Sequence, residues 1–421
     1  MRSAAVLFLL SLLLPAVAAA QDGPVYREPN TYPVLDEIRA RRDSLQAVQD
    51  ARIEEVRARQ DADAKARKEA KRSLRVDWSA IEVPQSPDAF DLRLPHLPPV
   101  AQYMTGTCWA FAATSLMESE AIRLSGHEVK LSEMWTVYWE YVLKTERWVR
   151  EYGRSPVSTG SQSDGLLEVY ARWGAVPQAA YAGVLFADGR HDHDAMHDEI
   201  TAWLDLCEAH GIWDRDRVVA GVRAVLDAHL GAPPASFRHD GRTWTPLEFR
   251  ADYLKLDPSA YVALVSRLDT PFGAWCLLDV PDNWRRAETY LNVPLADFTR
   301  VLSQSLDRGY TCVLGGDNSE PGMDGQHDAA VIPSWDIPAA AINQGAREHR
   351  IVSGQTGDDH GIHVVGKTRV DGAGWYLIKD SNRSSRLGRW PGYYFWREEY
   401  PALKMLTVLV HRDMVADLLP R

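Results

Sequence analysis

The stretch Gln102-Tyr103-Met104-Thr105-Gly106-Thr107-Cys108-Trp109-Ala110-Phe111-Ala112 sets a cysteine directly after a Gly-Thr turn, at the start of an apolar, helix-periodic run. A thiol at a helix N-terminus meets the positive end of the macrodipole, which favours the thiolate. Gln102 stands shortly upstream, and if the chain folds back its side-chain amide and the Cys108 backbone N–H converge on one point. Two donors beside a nucleophilic sulfur are what acyl transfer through a tetrahedral oxyanion requires.

Such a nucleophile needs a base and a group to orient it. In Asp358-Asp359-His360-Gly361-Ile362-His363-Val364-Val365-Gly366, His360 lies at the mouth of an apolar strand. His363 points to the opposite face of that strand, so His360 is the expected base. Beyond a second strand-like run, Trp375–Ile378, comes Asp380, which can accept the imidazole N–H and fix its tautomer. The chemistry expected of Cys108, His360, Asp380 and Gln102 together is that of a cysteine hydrolase.

Two other clusters are open to more than one reading. Thr159-Gly160-Ser161 is either a glycine segment that lets an extended peptide pair main chain to main chain, or a turn before the next helix. His191-Asp192-His193-Asp194-Ala195-Met196-His197-Asp198 has metal-ligand residue types, but no His-Glu-x-x-His spacing and no general base beside it. It is expected to be a solvated loop leading into a helix, with no metal. Neither a phosphate loop nor a dinucleotide fingerprint is present, so no cofactor is expected.

The elements that must position these residues follow from periodicity and punctuation. Trp109 to Leu124 reads as a buried helix closed by Gly126, and Leu131-Ser132-Glu133 opens another with the aromatic face Trp135, Tyr138 and Trp139. Tyr181 to Thr299 reads as mostly helical. Asp297 is expected to N-cap a further helix. Tyr310–Leu314, Ile362–Val365, Trp375–Ile378, Tyr393–Trp396 and Met405–Val410 read as strands. Helices early and strands late give an α+β protein with two lobes.

Residues 1–20 carry the marks of a cleavable leader, with Arg2, an apolar Ala5–Val17 and Ala18-Ala19-Ala20, so export to a secreted or periplasmic location is expected. Residues 21–84 form a polar tail and a charged helical arm. The stripe Leu35, Ile38, Leu45, Val48 and Val56 suits either a solvated helix or a surface for homo-oligomers or inhibition, between 34 and 74. The net charge of −11 argues against nucleic acid as partner, and no later stretch is apolar enough for membrane insertion. Four cysteines are too few for a disulfide scaffold; with Cys108 free, Cys207, Cys276 and Cys312 allow at most one bridge.

Gln102…Cys108-Trp109-Ala110-Phe111, Leu131-Ser132-Glu133, Asp359-His360-Gly361 and Lys379-Asp380-Ser381 resemble the motif series of the papain-like cysteine peptidases, in the same chain order. Within that superfamily the chain most resembles the bleomycin hydrolase and aminopeptidase C branch, to which Pro281-Asp282-Asn283-Trp284-Arg285 is also similar. The spacing from Cys108 to His360 far exceeds the about 130–150 residues of the papain pattern. The large helical insertion of that branch, here about 181–299, accounts for the surplus. The resemblance implies a papain-like fold over 85–413, with a helical lobe carrying the cysteine and a β-rich lobe carrying the histidine and acid. It implies peptide substrates, substrate pairing at Gly160 and Ser161, and aminopeptidase action in which a C-terminal tail, here 414–421, partly fills the cleft.

The chain also departs from the pattern. Asp380 stands where an asparagine is usual, and Asn382 where a tryptophan shields the His–Asn bond, unless Trp375, Trp390 or Trp396 takes that place. Thr105 replaces a disulfide cysteine. The alternative to an active peptidase is a papain-like fold kept as a catalytically inactive binding or structural protein.

Overall fold

The computed structural model describes residues 26–71, 74–183 and 188–420. The expected leader, 1–20, lies outside them. The chain divides into two compact units, Met1–Ser73 and Leu74–Arg421.

Among the described residues of the first unit lies the helix Pro33–Ala70, opened by a proline in its first turn. None of its residues is buried, and Leu35, Ile38, Leu45, Val48 and Val56 all face outward. Charge pairs such as Asp36–Arg39 run along its surface.

The second unit starts earlier than the expected boundary at residue 85. Val76, Trp78, Ile81 and Val83 already pack on a buried cluster around Trp375 and Phe395, and Trp78 stacks on His327. These apolar side chains draw the segment onto the body that follows.

The helices Cys108–Ser125, Glu133–Arg150, Gly165–Trp173, Asp194–Ala209 and Arg215–Leu230 share one apolar core. Ser132 caps the second through the Trp135 N–H, and Gly126 closes the first in the left-handed conformation. The largest sheet runs in the order Trp275–Cys276, Tyr290–Asn292, Tyr261–Val265, Met405–His411, Cys312–Gly316, His360–Val370, Ala373–Lys379, Tyr393–Arg397, Ala329–Ala330, Met323–Asp324. Leu92–Arg93 pairs on the side with His360–Val370.

This sheet stands between two cores. In Tyr261–Val265, Ala263 and Val265 enter the helical core, while Val262 and Leu264 enter a second core around Phe298, Val301 and Leu302. The same alternation separates Val313 from Leu314 and Leu409 from Val408. Strands buried on both faces read as continuous apolar runs.

The stretch expected as a helical insertion, 181–299, is helical in Asp194–Ala209, Arg215–Leu230 and around Phe249, but then joins the sheet. Tyr261-Val-Ala-Leu-Val is a short β-branched and aromatic run, and it pairs with Met405–His411. Asp297 lies inside the first turn of Leu295–Asp307, after Pro294, and is not its cap. The tail does not occupy a cleft. Met414 and Val415 are buried in the second core, Leu418 and Leu419 pack on it, and Asp417 pairs with Arg300.

Candidate active site

Cys108 is the first residue of its helix and is partly exposed. No side chain caps that helix, because the Thr107 hydroxyl donates instead to Thr105 Oγ1 at 2.8 Å. The Ala110 and Phe111 N–H groups donate to the Thr107 carbonyl, at 2.9 and 3.3 Å, which leaves those of Cys108 and Trp109 to meet an anion beside the sulfur. The two threonines hold the turn where the resemblance would have placed a disulfide cysteine. All four cysteines are free, and Cys207, Cys276 and Cys312 are buried.

Gln102 is tied to Ser381 twice. Its N–H donates to the Ser381 carbonyl at 3.0 Å, and its Oε1 accepts from the Ser381 hydroxyl at 2.7 Å. With Oε1 engaged, Nε2 is the end left to donate to an oxyanion. Ser381 was not singled out in the sequence, although it adjoins Asp380.

His360 begins its strand, and Nε2 lies 2.8 Å from Asp380 Oδ1. Both side chains are buried. Cys108 lies close enough for its charge to act on the ring. Burial alone would lower the His360 pKa, but the charges of Asp380 and then Cys108 outweigh it and hold it well above its ordinary value. The Asn382 N–H also donates to Asp380 Oδ1, at 2.8 Å.

His363 is fully buried and shares a 2.7 Å hydrogen bond with Ser115 on the Cys108 helix. Burial, then Lys379 and His96, keep it neutral. It ties strand to helix and stands apart from the sulfur.

Of the tryptophans considered as a shield, Trp375 and Trp396 are buried in other clusters, and the Trp390 indole donates to the Gln85 carbonyl.

Thr159-Gly160-Ser161 runs beside the start of the Cys108 helix, since the Trp109 indole donates to the Thr159 carbonyl at 3.1 Å. Lys144 binds the carbonyls of Ser158 and Gly160, and Ser161 turns its hydroxyl inward to Glu140. The loop around Trp284 and Arg285 docks on the same Glu140. This brings Asp282 against Gly160, where a Cβ would overlap its carboxylate. Asp282 makes no hydrogen bond or ion pair among the described residues. Burial, then the charge of Asp282, push Asp358 up to about 7, with the Gln162 amide opposing. Asp282, Asp358, Lys144 and Glu140 were not expected as site residues; their positions depend on contacts between distant segments.

The histidine cluster departs from the solvated loop expected. His193 is only 3% exposed and precedes the helix Asp194–Ala209. The Met104 N–H donates to the His191 carbonyl at 3.2 Å, and the His193 N–H to the Met104 carbonyl at 3.0 Å. The segment thus braces the loop between Gln102 and Cys108. Among the described residues no group of three or more His, Cys, Asp or Glu side chains is placed to hold a metal ion.

A helix opened by Cys108 and packed against a sheet that carries His360 and leads into Asp380 is the arrangement of a papain-like α+β fold, and a solved structure agrees. PepW from Lactobacillus rhamnosis superposes with a TM-score of 0.63 at 17% identity, covering 78% of this chain and 83% of that one.

Among sequence relatives, aminopeptidase C of Lactococcus lactis subsp. cremoris is 22% identical over 373 residues, 78% of this chain and 84% of its own. Mitochondrial cysteine proteinase 1 of Saccharomyces cerevisiae is 21% identical over 292 residues, 58% of this chain. The chain spans 60% of the length of that yeast relative. No protein-family model matches. The resemblance to the papain-like branch of bleomycin hydrolase and aminopeptidase C is therefore carried by long alignments as well as by motifs.

Proposed function

We propose that the chain is a cysteine peptidase, with Cys108 as nucleophile, His360 as acid and base, Asp380 as orienter, and Gln102 with the Cys108 N–H as oxyanion donors. The observation that carries this reading is one buried imidazole bonded to Asp380 and close enough to Cys108, the first residue of its helix, to feel its charge. The thiolate attacks the peptide carbonyl, and the oxyanion forms against the two donors. Collapse breaks the C–N bond, and the imidazolium gives its proton to the leaving amine. Water, deprotonated by the now neutral His360, then attacks the thioester and releases the acid and the thiolate.

Aminopeptidase action is the finer reading. The tail does not supply it here, since it packs on the second core. What supports it is the Asp282 carboxylate beside Gly160, with no hydrogen bond or ion pair among the described residues and only the charge of Lys144 opposing its own, and Asp358 close enough to feel it. A substrate's α-ammonium would relieve both carboxylates. Gly160 and Ser161 line the peptide's path in this reading. Export through the 1–20 leader is part of the same proposal.

Turnover of peptides with free and acetyl-blocked N-termini tests it, using wild type and Cys108→Ala. Wild type should cleave the free peptides faster, and Cys108→Ala should lose about a thousandfold or more of that rate. Equal turnover by Cys108→Ala would sink the peptidase reading; equal rates on both peptides would sink only the aminopeptidase reading.

A further inference from the structure

An aspartate in place of an amide brings a charge into a buried site, and Asp380 is only half satisfied. Its Oδ1 takes the His360 ring and the Asn382 N–H. Its Oδ2 is buried and has no partner among the described residues. A buried carboxylate oxygen without a partner costs stability, so a compensating group should be near.

One cation in the same loop is in the matching condition. Arg386 has both Nε and Nη2 buried without partners among the described residues. The charged or titratable groups that act on it are Tyr103, on the Gln102 loop, and Asp380. The chain between the strands Ala373–Lys379 and Tyr393–Arg397 is folded to return it there. The Ser385 hydroxyl donates to the Asn382 carbonyl at 2.7 Å, the Gly392 N–H to the Ser385 carbonyl at 2.6 Å, and the Asp380 N–H to the Gly392 carbonyl at 2.9 Å. Gly392 has φ +87°, and a Cβ there would run into Pro99 and stand 3.4 Å from Arg386 Nη2. The guanidinium is therefore held near the acid but out of ion-pair contact with it, since neither Asp380 Oδ2 nor Arg386 Nε and Nη2 has a partner among the described residues.

We propose that Arg386 is a positioning residue of the triad, whose guanidinium is the counter-charge of Asp380. Through Asp380 it moderates the imidazolium: the carboxylate raises the basicity of His360, and the guanidinium offsets part of that effect. The other charged groups coupled to this pair are Cys108 and Asp359 at His360, and Tyr394 at Asp380. The inference rests on the triad reading of Cys108, His360 and Asp380.

The test is the rate of Cys108 alkylation by iodoacetamide against pH, which reads the thiolate–imidazolium pair without peptide turnover. Removing the positive charge in Arg386→Met should move the basic limb of the profile upward by about half a pH unit or more. Arg386→Lys, which keeps the charge, should restore most of the wild-type position. In an Asp380→Asn background, Arg386→Met should leave the limb in place. A limb that does not move in Arg386→Met, or that moves equally in the Asp380→Asn background, overturns the proposal. Arg386→Gln serves as a second charge-removing variant should the methionine variant fail to fold. A wild-type profile with no thiolate at neutral pH would instead remove the triad reading itself.

Discussion

At the scale of single residues, the exchange of an amide for Asp380 decides the electrostatics of the site. The carboxylate is part of what raises the His360 pKa. Asp380→Asn should therefore lower it and draw the basic limb of Cys108 alkylation to lower pH. Iodoacetamide kinetics across the pH range check this, and an unchanged limb would mean that Asp380 does not control the imidazole.

Asp282 offers a second test. Asp282→Asn should raise KM for peptides with a free N-terminus by about tenfold, on the order of one charge-assisted hydrogen bond, with little change for acetyl-blocked peptides. Equal effects on both would show that the carboxylate shapes the cleft without reading the amine.

At the scale of elements, the loop from Gln102 to Cys108 is fixed from two sides, by Ser381 and by the 191–193 segment. The second brace depends on pH. His193 has neither ring nitrogen partnered among the described residues, and burial, then His191, with His229 adding and Asp192 opposing, pull its pKa down to about 4. Its ordinary value is 6.5. A base with a depressed folded pKa leaves the neutral form favoured in the fold, so the brace loses stability as pH falls from about 6.5 toward 4. After correction for intrinsic rates, the Met104 and His193 amides should exchange faster at pH 5 than at pH 7. His193→Phe should abolish the difference, and pH-independent exchange in wild type would dismiss the effect.

What the sequence disclosed follows the range of the interactions involved. The Cys108 helix was legible because its apolar spacing and Gly126 are local signals. The strand carrying His360 was legible because its β-branched run leads out of the histidine. Tyr261–Val265 was hidden in a largely helical region because five residues carry little periodicity, and only pairing with Met405–His411 makes them a strand. The placement of His193 was hidden for a related reason: its backbone bonds to Met104, far away in sequence.

At the scale of the molecule, the two ends of the chain should matter differently. None of the residues of Pro33–Ala70 is buried, so removal of residues 1–73 should leave the melting temperature of the rest nearly unchanged. Sedimentation of the full and shortened chains then reports whether the arm assembles copies. At the other end, Met414→Ala should cost about 2–5 kcal/mol, as for a buried methionine, and leave the preference for free N-termini untouched. A change in that preference without a loss of stability would put the tail back in the cleft.

The sheet that alternates its side chains between two cores has a mechanical meaning. Each inward side chain on one face has neighbours on its own strand rooted in the other, so the strands act as a common keel. A hinge between the lobes would have to shear Ala263 from Val262 and Leu409 from Val408, breaking two close-packed interiors at once. In the proposed peptidase, selectivity would then rest with the loops around Cys108 and His360, and not with a breathing motion between the two cores.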